Sequence, residues 1–115
     1  MKTHHRILLS DSNGESGLAL FAFLNLGLVQ SLHSGALSPS EAIGRFYHAD
    51  NCLYVRKHFQ SREANMVMNR GVQLPDLFES LPAEEAQREF LHELEKIRAL
   101  CLQLLEREKS SEAAV

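Results

Sequence analysis

His48 and Cys52 are the two residues whose types and spacing come nearest to a reactive site. On a continuous helix, their spacing of four would place the imidazole and the thiol on one face, where they would share a metal ion or act as base and nucleophile. His58 follows, but no third ligand has a fixed offset, and a spacing of four is common by chance. A small enzyme or a metal site at His48 and Cys52 is therefore the least favoured of three functions.

The sequence patterns of several enzyme classes are missing from the chain. It contains no G-x-G-x-x-G, no G-x-x-x-x-G-K-[ST], no H-E-x-x-H and no C-x-x-C. The run Gly14-Glu15-Ser16-Gly17 lacks the glycine that a nucleophile elbow requires two residues after the serine, because Leu18 stands there. We therefore predict a protein that is not an enzyme, with no catalytic residue, no metal and no cofactor.

Basic residues are concentrated in the middle third of the chain. Residues 45–71 carry five basic side chains against two acidic ones, an excess of +3, whereas residues 72–115 carry ten acidic against five basic ones. The stretch 41–59 partly resembles a helix-turn-helix, although in that motif the base-contacting residues lie near the start of the second helix and here they come late. The second function is therefore a nucleic-acid-binding regulator. Its candidate contacts are Arg45, Arg56, Lys57, Arg62 and Arg70.

An apolar helix is predicted near the N-terminus. Ser12 and Glu15 have the spacing of a capping box, and Gly35 is a natural left-handed terminator. Between them, residues 17–32 are apolar on all sides apart from Asn25, Gln30 and Ser31, so this helix is expected at the buried centre of the domain. Its expected core side chains are Phe21, Leu24 and Leu28.

Shorter helices follow. Ser38-Pro39-Ser40-Glu41 combines a capping serine, a proline at the first helical position and a glutamate at the third, so a helix begins there, with a break expected near Asp50. Residues 62–70 are predicted as another short helix that Gly71 terminates. Leu74-Pro75 is predicted to be extended.

A long C-terminal helix is predicted from Pro82 to Arg107, with apolar residues recurring at spacings of four and three. These residues cover an arc of roughly 200°, wider than the arc of about 100° that one core-facing side requires. We therefore predict a homodimer through this helix, with cover by neighbouring helices of the same chain as the alternative. Its candidate interaction surface is Arg98, Leu100 and Leu102.

Length and composition indicate one domain over residues 1–115, with residues 1–11 and 109–115 mobile. Apolar residues make up 44% of the chain, which is enough for a core without a disulfide between Cys52 and Cys101. Two free cysteines favour a reducing, cytoplasmic location.

The apolar run 17–29 reaches only about 20 Å as a helix, too short to cross a membrane. Asp11 and Glu15 before it argue against a signal peptide.

The predicted fold is all-α, a compact bundle of four or five helices with a buried apolar helix near the N-terminus and a long C-terminal helix. The runs Ser34-Gly35-Ala36-Leu37-Ser38 and Arg70-Gly71-Val72-Gln73-Leu74-Pro75-Asp76, followed by a long final helix, resemble small helical bacterial proteins of unknown function. Some proteins of that build neutralise toxins or act as adaptors, so the resemblance implies an interaction role. The preferred function is a cytoplasmic, non-catalytic protein-interaction module: an inhibitor, an immunity protein or an adaptor.

Overall fold

Five α-helices form the fold in the computed structural model, which describes residues 6–12 and 17–113. The described part of the chain contains no strand, and the prediction of an all-α bundle is confirmed. The helices are α1 (Gly17–Ser34), α2 (Pro39–Arg45), α3 (Ala49–Tyr54), α4 (Arg62–Ser80) and α5 (Ala83–Ala113). A 3-10 turn, Leu9–Ser12, precedes α1, and a π-helical turn, Val55–Phe59, continues α3.

The long helix α5 organises the bundle, and α1 and α4 make their most extensive contacts with it. Helix α4 runs antiparallel to α5, as two ion pairs between them show: Glu63 with Arg107 at 2.9 Å and Arg70 with Glu93 at 2.7 Å. The side of α5 that faces the core is the one that the apolar spacing predicted. Its buried residues include Phe90, Leu94, Ile97, Cys101 and Leu104.

Helix α1 is covered on one side only. Phe21 and Asn25 are fully buried, whereas Leu24 and Leu28, expected in the core, are half-buried. Phe23 is 60% exposed. The expectation that α1 lies at the buried centre is therefore wrong for its outer side, because α1 packs mainly against α5 and no helix covers its far side among the described residues. The predicted end of α1 is confirmed, with Gly35 in the left-handed region at φ +85°.

The capping box at the start of α2 is confirmed. The Ser38 hydroxyl accepts a hydrogen bond from the Glu41 amide at 3.1 Å, and the Glu41 carboxylate accepts one from the Ser38 amide at 2.8 Å. The break predicted near Asp50 comes slightly earlier, between Arg45 and Ala49. It comes there because His48 takes an extended conformation and caps α3 with its side chain.

Two predictions about α4 are wrong. Gly71 does not end a helix, and Leu74-Pro75 is not extended, because Arg62–Ser80 is one continuous helix with Pro75 inside it. Gly71 instead lies directly against the ring of Tyr47, because a Cβ at position 71 would be 2.5 Å from that ring. The fully buried Leu74 holds this part of α4 against the core, and that packing offsets the helical hydrogen bond that Pro75 cannot donate.

The start of α5 agrees with the sequence prediction, with Pro82 just before the helix and two glutamates in its first turn.

At the N-terminal end of the chain, the capping box predicted at Ser12 and Glu15 is not observed, because Glu15 is among residues 13–16, which lie outside the described residues. Mobility of residues 1–11 and 109–115 stays a prediction, but α5 continues to Ala113, six residues beyond its predicted end at Arg107. The segment from Arg6 onward is attached to the bundle: the Ile7 amide donates to the Arg45 carbonyl at 2.8 Å.

Candidate functional site

The His48 imidazole is a structural cap in this fold. Its Nε2 lies 2.9 Å from the Ile7 carbonyl oxygen, which only accepts, so Nε2 carries the proton. Its Nδ1 accepts from the Asn51 amide at 3.4 Å, and the Arg6 guanidinium lies 3.3 Å from the same nitrogen. Both ring nitrogens are therefore occupied in joining the N-terminal segment to α3, and neither is turned to Cys52.

Cys52 is half-buried in α3, while His48 precedes that helix in an extended conformation (φ −91°, ψ 170°). The spacing of four therefore does not place the two side chains on one helical face. Burial raises the pKa of the Cys52 thiol, and the positive charge of Arg56 only partly opposes this. Among the described residues, no group of three His, Cys, Asp or Glu side chains is placed to hold a metal ion. This geometry gives no support to a reactive His48–Cys52 pair.

Asn51 is a buried residue whose structural role was not predicted from the sequence: its side chain joins separate segments of the chain by hydrogen bonds. Its Nδ2 donates to the Ile7 and Phe46 carbonyls, each at 2.9 Å, and its Oδ1 accepts from the Leu9 amide at 2.9 Å. These bonds fasten the N-terminal segment to the turn between α2 and α3. The sequence carries no signal for this role, because two of its three partners, Ile7 and Leu9, lie more than 40 residues away along the chain.

A second buried amide, Asn25, also has hydrogen-bond partners in the core. Its Nδ2 donates to the Phe21 carbonyl at 2.9 Å, and its Oδ1 accepts from the Tyr47 hydroxyl at 2.7 Å. Burial raises the pKa of Tyr47 far above its ordinary value, and the nearby Cys101 adds to the effect. The Tyr47 hydroxyl therefore stays protonated and acts as a hydrogen-bond donor.

The five basic candidate residues do not form one set. Arg70 is engaged with Glu93 at 2.7 Å between α4 and α5. Arg45 lies near Glu41, whose carboxyl pKa is lowered mainly by the hydrogen bonds from Ser38 and also by this guanidinium. The other three are exposed, and in the described part of the chain they make no ion pair: Arg56, Lys57 and Arg62.

The three residues predicted as a dimer surface lie in two places on α5. Leu100 is half-buried and lines a shallow groove with Met66 and Arg70 of α4. Leu102 is 48% exposed and lines a different surface depression, with Leu105 and other residues of α5. Arg98 pairs with Glu95 of its own helix at 3.5 Å. Of the three, Leu102 is the side chain most available to a partner.

The outer face of α1 is apolar and exposed. Leu20 is 41% and Phe23 60% exposed, and Gly27 is exposed with open space where a Cβ would stand. At 100° per residue these positions and the half-buried Leu24 lie within an arc of about 100°. Residues 17–32 contain no Asp, Glu, Lys or Arg. We refer to Leu20, Phe23, Leu24 and Gly27 as the α1 outer face.

By length and composition alone, the 18 residues of α1 also satisfy the test for a helix able to cross a membrane, with a mean hydropathy of 1.3. Core helices of soluble proteins and signal sequences satisfy the same test, so it leaves the location of the chain open.

Comparisons with known proteins give no further guidance, because no family model, no curated protein and no solved structure matches the chain.

Proposed function

We propose that this chain is a cytoplasmic, non-catalytic protein-interaction module, of the inhibitor, immunity-protein or adaptor kind, which binds an amphipathic helix of a partner protein along the α1 outer face. The observation that carries the proposal is the exposure of Phe23 on a helix face without charged residues. Large aromatic side chains at the centre of such a patch are the usual anchors of protein interfaces.

The absence of charged side chains from the α1 outer face determines what kind of partner surface is able to bind there. Burying a phenylalanine or leucine side chain that is about half exposed recovers roughly 1 kcal/mol or more of apolar transfer free energy. A charged side chain set against this face would find no partner on α1 and would be costly to desolvate. The partner surface must therefore be uncharged and apolar where it meets Phe23.

The shape of the face favours a helix as the occupant. Because Gly27 has no side chain, a notch lies one turn beyond Phe23, and a partner backbone is able to approach α1 closely there. Apolar side chains at spacings of three, four and seven residues on a partner helix would fit on either side of Phe23.

A photo-cross-linking experiment in the cells that naturally produce the chain tests the proposal. A benzoylphenylalanine replaces Phe23 in one variant and Leu53, an exposed leucine on α3, in the control. We expect a discrete protein adduct at position 23 that is missing at position 53. The identified partner is then purified, and Phe23→Glu should weaken its binding by about a hundredfold, while Leu53→Glu, with the same change in charge, should leave it nearly unchanged. Equal effects of the two substitutions would refute the proposal.

The predicted homodimer is the competing occupant, and the same variants distinguish it. Light scattering on a sizing column gives the mass of the assembly, 13.0 kDa for one chain or twice that for a dimer. A dimer that dissociates in both Phe23→Glu and Leu102→Glu, with helicity retained, would make a second copy the occupant in place of a partner protein. A monomer at tens of micromolar, with an adduct at position 23, supports a partner of a different kind.

A further inference from the structure

We infer that the segment from Tyr54 to Arg62 is a binding site for single-stranded nucleic acid, with Arg56, Lys57 and Arg62 contacting the phosphates. This inference is independent of the proposed function, since it uses neither α1 nor Leu102. We call the segment the basic edge.

Ion pairs neutralise the acidic residues nearest to the basic edge in sequence, while Glu108 of α5 lines a groove together with Arg62. The two acidic residues of the middle third are both neutralised by bases from elsewhere in the chain: Asp50 by Arg6 at 2.9 Å and Glu63 by Arg107 at 2.9 Å. As a result, neither carboxylate is left to pair with the cations of the edge. Exposed cations without a carboxylate partner are the groups that replace the counterions of a phosphate backbone.

The chain geometry fixes where these cations lie. Gln60 adopts a left-handed conformation, φ 48° and ψ 43°, which reverses the chain between the π-helical turn and α4. For a residue with a side chain this conformation costs about 1 to 2 kcal/mol, so the surrounding structure must hold it. Phe59 packs edge-on against Phe21 at 5.6 Å, and the Ser61 hydroxyl caps α4 by accepting from the Ala64 amide at 3.1 Å. Arg56 and Lys57 therefore lie on one arm of the turn and Arg62 on the other.

Neutral hydrogen-bonding groups adjoin the cations. Arg56 lines a small pocket of about 130 Å³ together with Asn65 and Asn69 of α4. No carboxylate is among the described residues that line it. Amide side chains donate and accept hydrogen bonds, so this pocket suits a base edge or a sugar beside a bound phosphate.

An exposed ring completes the basic edge. The His58 imidazole is exposed and stacks on Tyr54, with ring centroids 4.3 Å apart and planes inclined by 28°. Tyr54 is in turn held edge-on by Phe59 at 5.7 Å. Unpaired bases stack on such supported rings irrespective of sequence, and proteins that bind single strands combine rings of this kind with cations along the backbone.

The arrangement argues against duplex binding through a helix-turn-helix. In that mode the start of the second helix enters the major groove. Here the first turn of α3 carries Asp50, whose carboxylate is 67% exposed, and the cations follow at the far end of the segment. A duplex docked on the start of α3 would meet no basic side chain of that helix, whereas a single strand is able to follow the turn from Arg56 to Arg62.

Fluorescence anisotropy with labelled dT20 and rU20 tests the inference. With three phosphate contacts to a single strand, the logarithm of the binding constant should fall with the logarithm of the salt concentration with a slope of about −2. Affinity should therefore drop about twentyfold between 50 and 200 mM salt. A matched 20-base-pair duplex should bind more weakly than dT20.

The variants separate specific contacts from net charge. Replacing Arg56, Lys57 and Arg62 with alanine should abolish the salt-dependent binding, and the same replacements with glutamine serve as a second variant if the first unfolds. The control replaces three basic residues of α5, Arg88, Lys96 and Lys109, and removes the same total charge. His58→Ala should weaken binding about tenfold and leave the salt slope unchanged.

Four results would overturn the inference: no binding of either probe below about 100 µM at 50 mM salt, a slope near zero, equal losses in the two triple variants, or tighter binding of the duplex. None of them bears on the α1 outer face, so failure here leaves the proposed function standing.

Discussion

Substituting Gly71 by alanine tests the account of how α4 packs. A methyl group at this position would meet three carbon atoms of the Tyr47 ring at 2.5 to 2.6 Å. Ordinary contacts between carbon atoms lie near 3.5 to 4.0 Å, so either the ring or the helix must move by about 1 Å. The ring is not able to move independently, because Tyr47 is 1% exposed and its hydroxyl is bonded to Asn25.

The expected cost combines three terms. Overpacking a core by one methyl group costs about 1 to 3 kcal/mol. A ring shift of about 1 Å would also break the 2.7 Å hydrogen bond to the buried Asn25, which costs about 1 to 3 kcal/mol. Alanine recovers about 1 kcal/mol because it favours the helix more than glycine does. We therefore expect Gly71→Ala to reduce the free energy of unfolding by about 3 kcal/mol.

Urea and thermal unfolding followed by circular dichroism provide the assay, with an expected fall in Tm of about 10 °C. Gly27→Ala is the matched control, because that glycine also lies inside a long helix but has open space around a Cβ. It should stabilise the protein by about 0.5 to 1 kcal/mol. A neutral or stabilising Gly71→Ala would show that Tyr47 does not lie against α4 and would refute the reasoning.

Three further predictions follow from the buried polar groups and the thiols. Cys52 should react slowly with a disulfide reagent at neutral pH and Cys101 only on unfolding, since burial raises both thiol pKa values, that of Cys101 to about 12; rapid reaction of Cys52 would contradict this. Burial opposes ionisation of Glu93, but hydrogen bonds from Arg70 and a neighbouring lysine outweigh it and lower its pKa. Its stabilising charge is therefore present above pH 4.5 and lost as the pH falls further, so Glu93→Gln should flatten the acid side of a stability curve; an unchanged curve would count against the pair. Asn51→Leu should cost about 2 to 4 kcal/mol in urea unfolding, because three hydrogen bonds are lost.

Local signals predicted the fold class and several helix ends. The capping box at Ser38 and the glycine at position 35 depend on neighbours within four residues, and both have the predicted geometry. Gly71 and Pro75 were misinterpreted because their usual meaning as helix terminators is also local, whereas their environment here is set by contacts from distant residues. Tyr47, 24 positions before Gly71, makes the glycine a packing requirement.

The candidate sites depended even more on long-range partners. The sequence predicted five basic residues as one set, but which of them are available is decided by ion pairs across the bundle, such as that between Arg70 and Glu93. The exposure of Phe23 was not predictable either, because an apolar helix has no polar side to identify its outer face. Which residues of α1 meet solvent depends on which of its sides the neighbouring helices cover.

The polar groups in and near the core explain why the two proposed surfaces matter more than the residues that first suggested chemistry. The side chains of His48, Asn51, Asn25 and Tyr47 are all committed to hydrogen bonds that join separate segments of the chain. A group held in this way is a poor acid, base or ligand, because using it for chemistry would release the segment that it fastens. By contrast, the side chains of Phe23 and Arg56 are exposed. Either residue is therefore able to bind a partner without breaking a hydrogen bond that holds the fold together. Both proposed binding surfaces, α1 for apolar partners and the basic edge for anionic ones, therefore use exposed side chains that hold no part of the fold together.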